Sequence, residues 1–229
     1  MLCTDTKLDA EIAKSLSLIG YCLLRSGRHH EALSVRHSAS LIYRRLAQHD
    51  PSAFECELAK ALGAEGACLG DFKRHEEAVP VLEEALSIAT KLSLSEPSNE
   101  KYQADLGKTL NNLSNRLGSL GRDAEALEKI QQSVDIFRKL SEGSQKYTSY
   151  LGGALVNLSS RLGAMGRHQE ALRSIQESVD IYRQLVESDQ GSGSYTEPLS
   201  FALHVLSNRL DNLGSLPGES IEPLKEAVA

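Results

Sequence analysis

The chain has 229 residues, 41% apolar and 24% charged, with a formal net charge of −6. That balance fits a globular protein of one large or two small domains and argues against a general binder of nucleic acid or anionic membrane, since both need a basic field. Cys3, Cys22, Cys56 and Cys68 show neither CxxC spacing nor the density of a disulfide scaffold, the N-terminus has no basic-then-apolar leader, and no stretch reaches the ~18 apolar residues of a membrane span, so a reducing, cytoplasmic location is expected.

Residues 1–7 read as a tail. From Leu8 an apolar row runs through Ile12, Leu16, Ile19 and Leu23 at steps of four and three, one face of an amphipathic helix. SGRHHEA at Ser26 closes it, with Gly27 free to take the positive φ that ends a helix. A second helical run follows as far as HDPSA at His49. There Asp50-Pro51 reads as an N-cap and a first-turn proline.

The pattern then starts again. The second copy reads Leu58, Leu62, Glu65, Leu69, Phe72, a row with one charged intruder, and ends at SEPSN. The third reads Leu106, Leu110, Leu113, Leu117, Leu120, turns at SLGRDAEA, and continues as Leu127, Ile130, Val134, Phe137, Leu140. The fourth reads Leu151, Leu155, Leu158, Leu162, Met165, turns at AMGRHQEA, and ends at DQGSGS. The fifth reads Leu199, Leu203, Leu206, Leu210, Leu213, and its second helix runs from near Glu219 to Ala229. LSNRLGSLGRDAEAL at Leu113 returns 45 residues later as LSSRLGAMGRHQEAL, with ten of fifteen letters in place.

One leucine marks the period: Leu16, Leu62, Leu110, Leu155 and Leu203, spaced 46, 48, 45 and 48. The unit is a helical hairpin written nearly five times, over about 8–50, 51–97, 98–144, 145–194 and a shorter 195–229. A lone hairpin cannot bury its apolar face, whereas a stack of them makes a continuous core. The expected fold is all-α, a solenoid of about five hairpins and ten helices.

Small residues recur in three registers: Gly20, Gly66, Ser114, Ser159, Ser207; Ala32, Ala78, Ala126, Ala171, Ser220; and Ala39, Ala85, Ser133, Ser178, Ala227. Small side chains set how closely two helices cross. This pattern resembles the tetratricopeptide repeat, in the longer-period subtype similar to kinesin light chains. The resemblance implies a right-handed superhelical solenoid, a non-catalytic scaffold that holds a peptide or protein segment in a concave groove lined by the first helices. A second reading is the sensor or regulatory array of a larger signalling NTPase whose nucleotide-binding domain lies outside this chain.

Motifs for chemistry fail on inspection. Gly107-Lys108-Thr109 lacks the phosphate loop's earlier glycine, because Tyr102 stands there. His30-Glu31 and His75-Glu76 begin HExxH, but Ser34 and Val79 replace the second histidine. No metal, cofactor or catalytic set is expected. The resemblance instead places binding on an asparagine-rich face: Asn111, Asn112, Asn115, Asn157 and Asn208, with Lys108, Ser160 and His204. An amide offers both donors and an acceptor to a peptide backbone. Gly153, Phe201 and Val205 stand where a carboxylate grip needs basic residues in the later copies.

Two sets of charges read as structural. An arginine ladder, Arg116, Arg161 and Arg209, recurs with Asp135 and Asp180, or with Glu125 and Glu170, as expected partners. Arg36 stands in an apolar register of its helix, as Glu65 does in the next, so the two are expected to pair across the first repeat boundary. The partner of the whole chain is expected to be a protein or peptide, with self-association through the exposed C-terminal repeat.

Overall fold

A computed structural model describes residues 6–188 and 193–214. Among them are nine α-helices, one short 3₁₀ turn and no strand. They form two compact units, divided after Gly121. The first holds α1 (Thr6–Arg25), α2 (His29–His49), α3 (Pro51–Asp71), α4 (His75–Ser95) and α5 (Glu100–Ser119). The second holds α6 (Asp123–Gly143), a 3₁₀ turn at Gln145–Tyr147, α7 (Thr148–Ala164), α8 (His168–Ser188) and α9 (Thr196–Gly214). Within each unit every helix packs on the next in chain order, as a stack of hairpins requires. The fifth second helix, with Ser220, Leu224 and Ala227, lies outside the described residues.

Local chemistry sets the helix ends. The Asp50 carboxylate accepts from the Ala53 N–H at 3.1 Å and Pro51 occupies the first turn, so one orphan donor is satisfied and the other never existed. Asn99 caps α5 through Lys101 N–H and Tyr102 N–H. Gly27, Gly121 and Gly166 take φ of 74°, 73° and 72° at the hairpin turns; the second turn puts Lys73 there, at φ 58°.

The small registers are where the helices cross. Ala32, Ala78, Ala126 and Ala171 are fully buried, as are Ser114, Ser133, Ser159 and Ser178. A Cβ on Gly66 would fall 2.5 Å from Leu82 Cγ, so the Leu82 side chain lies directly on the backbone of α3. Ser178 keeps its hydroxyl satisfied by donating to the Gly152 carbonyl at 2.8 Å.

The leucine rows form the core wherever a preceding helix covers them: Leu58, Leu62, Leu113, Leu117, Leu155 and Leu206 are all buried. Each such side chain contributes about 1.5–3 kcal/mol relative to exposure. In α1 the same row is not covered. Ile12 is 40% and Ile19 47% exposed, because no described helix packs on that face.

Candidate functional site

A groove runs along the first helices of the first unit. Between α1 and α3 lies a cleft of about 260 Å³, lined by Lys14, Ser17, Arg36, Tyr43, Lys60 and Ala64 among others. Between α3 and α5 lies a second of about 310 Å³, with Lys60, Gly63, Ala64, Lys108, Thr109 and Asn112. Lys60 and Ala64 line both, so the two clefts adjoin at α3. The floor is small side chains, Gly63, Ala64 and Ala67, which leave the α3 backbone approachable.

Three lysines share one register in this groove. Lys14, Lys60 and Lys108 each stand two residues before the marker leucine of their helix. Lys60 Nζ meets Glu57 at 2.7 Å and Lys108 Nζ meets Asp105 at 3.5 Å. Burial works against the Lys60 ammonium, but Glu57 outweighs it and holds the group above its ordinary value. The ladder was legible in the repeat alignment, yet only Lys108 stood out there, because it neighbours the asparagines.

Lys108 and Asn112 thus line a cleft, and Asn111 and Asn115 are half-buried on the same helix. In the second unit Asn157 and Ser160 are half-buried on α7. Ser160 donates its hydroxyl to the Val156 carbonyl at 3.1 Å, so that proton is committed to its own helix. His204 and Asn208 are exposed on α9, with the Asn208 amide 3.2 Å from His204 Nε2. The structure therefore brings Lys108 and Asn112 together with Lys60, and His204 with Asn208.

The charged exceptions pair differently from the expectation. The Glu65 carboxylate is buried, but it accepts from Ser40 Oγ and meets His37 Nδ1 at 2.7 Å; it makes no ion pair with Arg36. Arg36 instead lays its stem over Gly20, where a Cβ would fall 2.9 Å from its Cγ, and donates from Nη1 to the Ala64 carbonyl at 2.7 Å. The signal for this lies in Ser40. The other copies have Leu86, Val134 and Val179 in its register, so a hydroxyl and a carboxylate replace a matched apolar pair.

The arginine ladder likewise takes other partners. Asp135 and Asp180 are exposed on α6 and α8. Glu125 and Glu170 are held by turn arginines: Arg122 and Arg167 grip them with paired hydrogen bonds of 2.6–2.7 Å. Arg74 and Glu77 make the same clip, as do Arg28 and Glu31. Of the ladder, Arg161 meets Asp123 at 3.7 Å. Arg116 and Arg209 lie over Gly70 and Gly163. Burial pushes both guanidinium groups below their ordinary value, and their Nε atoms are buried with no hydrogen-bond partner. These arginines fill inter-repeat space left by glycine.

No helix among the described residues is long and apolar enough to cross a membrane. Among the same residues no group of three or more His, Cys, Asp or Glu could hold a metal ion.

Residues 106–142 and 151–190 match the family model described as Tetratricopeptide repeat. No curated protein matches the chain in sequence. Solved structures share the fold. The apo form of RapI superposes with a TM-score of 0.64 at 16% identity, over 90% of this chain and 69% of that one. A putative kinesin light chain of Podosopora anserina with nearly identical TPR-like repeats gives 0.59 at 19%, over 89% and 90%. Aspartyl phosphate phosphatase F of Bacillus subtilis gives 0.62 at 14%, over 90% of this chain and 50% of that one. Stacked hairpins within each unit and two segments that match the repeat model show that the chain carries tetratricopeptide repeats.

Proposed function

We propose that the chain is a non-catalytic interaction scaffold that holds an extended segment of a protein partner in the groove of its first helices. The observation that carries this is the adjoining pair of clefts with its ladder of Lys14, Lys60 and Lys108. Their lining includes Lys14, Arg36, Lys60 and Lys108 against the carboxylates of Glu57 and Asp105, a positive balance in a chain of net charge −6. An acidic segment suits that field, and amides such as Asn112 suit its backbone. The described cysteines are free thiols, in keeping with a reducing, cytoplasmic-type compartment.

The test uses fluorescently labelled ten-residue peptides, one set with alternating Glu and one with alternating Lys, titrated by anisotropy at two salt concentrations. The acidic set should bind, and Lys60→Glu should weaken it about tenfold with helicity unchanged. Asn112→Ala should also weaken it. Equal binding of both sets, or no effect of Lys60→Glu, would remove the groove as the site.

A further inference from the structure

Three second helices set their first residue against an arginine of the next first helix. His75 opens α4, Asp123 opens α6 and His168 opens α8. These helices pack on α5, α7 and α9, which carry Arg116, Arg161 and Arg209. At the α6–α7 seam the opening residue is an anion, and the Asp123 carboxylate meets Arg161 Nη1 at 3.7 Å. That seam shows what an arginine of this register takes: a carboxylate presented from the first turn of the preceding helix.

At the α4–α5 seam His75 stands in the place of that carboxylate. Among the described residues no carboxylate pairs with Arg116. Arg116 and Lys73 both stand close enough to His75 to help burial hold its imidazole below the ordinary value. Asp71, exposed at the end of α3, favours the Arg116 charge, but burial outweighs it and the guanidinium stays below its ordinary value. Glu77 is taken up by paired hydrogen bonds of 2.6 Å from Arg74, and Glu76 is exposed. Nε of Arg116 and Nδ1 of His75 are buried with no hydrogen-bond partner. Such nitrogens are uncommon, and a cation drawn partly out of water loses solvation that an anion restores. His168 and Arg209 repeat the arrangement at the α8–α9 seam, again with Nδ1 and Nε buried and without a hydrogen-bond partner.

We propose that Arg116, His75 and Lys73 form a binding site for an external oxyanion, a carboxylate or phosphate group, held as Arg161 holds Asp123. The guanidinium offers a fork of N–H donors, the neutral imidazole one N–H, and Lys73 an ammonium beside the turn. The site lies in the seam that also forms the groove's second cleft. Arg116 lies over Gly70, about two turns along α3 from Gly63, which Thr109 approaches to 4.0 Å. It stands independently of what the groove binds.

The test reads the Nε–Hε signal of Arg116 by nuclear magnetic resonance of the uniformly nitrogen-labelled full chain. The chain is titrated with sodium phosphate and, separately, with sodium acetate, at an ionic strength held constant with chloride. The Arg116 signal and the His75 backbone amide should shift saturably, while the Arg161 signal stays in place. In His75→Asp the Arg116 signal should start near its anion-bound position and no longer respond, because the site then carries its own carboxylate. In Asp123→His the Arg161 signal should begin to respond. Saturation with phosphate alone identifies a phosphate group as the ligand, saturation with acetate alone a carboxylate, and saturation with both an oxyanion of either kind. An Arg116 signal that responds to neither anion overturns the proposal. So does an equal response of Arg161 in the parent, or a response that His75→Asp leaves intact, since either would be general screening by the added salt.

Discussion

Arg116 occupies the space that a side chain on Gly70 would need. A Cβ there would lie 1.8 Å from Nη1 and 2.1 Å from Cζ. Arg209 stands over Gly163 in the same way, at 2.4 Å. Cys68 takes this register one repeat earlier, and the position matching Gly70 is then Leu24. A Gly→Ala change inside a helix ordinarily gains up to about 1 kcal/mol. Gly70→Ala should show that gain in an Arg116→Ala chain and lose most or all of it in the parent, where the guanidinium must move. Urea unfolding of the four chains measures the coupling; the same effect in both backgrounds would mean that the two residues are independent.

Lys73 holds a left-handed φ of 58° where the other turns have glycine. That conformation costs an L-residue about 1–2 kcal/mol. Lys73→Gly should raise stability by about 1 kcal/mol, part of the strain relief being offset by the freer unfolded chain. A melting temperature at or below that of the parent would show that Lys73 makes a compensating contact.

Ser40 and Glu65 form a polar pair in a place built for apolar ones. Ser40→Val alone removes a donor from a buried carboxylate and should cost about 1–3 kcal/mol. Ser40→Val with Glu65→Leu recreates the pairing of Val179 with Leu206 in the second unit's core. The double variant should be as stable as the parent or more so. If it is as unstable as the single change, His37 is the partner that matters.

His75 should make stability depend on pH. Burial, then Arg116 and Lys73, hold its imidazole below the ordinary value of 6.5. A group whose pKa is lower folded than unfolded takes up protons on unfolding between the two values. Its contribution is therefore complete above the ordinary histidine value and is lost as the pH falls through that interval. Urea midpoints should drop between about pH 7 and pH 5, and the drop should shrink in His75→Gln and in Arg116→Ala. A slope unchanged in both variants would assign the effect to other groups.

The periodic part of this molecule was legible because burial follows spacing. The marker leucines, the small registers of the first four copies, the Asp50 cap and the turns at Gly27, Gly121 and Gly166 stand where the repeat puts them. Arg36 and Glu65 mark the limit of that reading. Spacing shows that both break an apolar row, but an arginine leaves its helix on a long stem, and Arg36 crosses Gly20 to a backbone carbonyl instead of a carboxylate. The same holds at Glu125 and Glu170. A period matches them to the ladder arginines, whereas an arginine three residues away in the turn reaches them first. Ile12 and Ile19 fail for another reason: a pattern gives the face to be covered, and the covering helix must come from elsewhere.

Among the described residues, the ion pairs that join one helix to another span 28 to 40 residues of chain, as with His37–Glu65 and Arg44–Glu84. That short reach matters while the protein is being made. A ribosome adding ~5–20 residues per second delivers such a partner within ~2–8 s. Helix α2 can settle on α3 while α9 is still untranslated. An elongating chain of this design adds one unpaired apolar helix face at a time at its newest end, beside the face that α1 leaves uncovered.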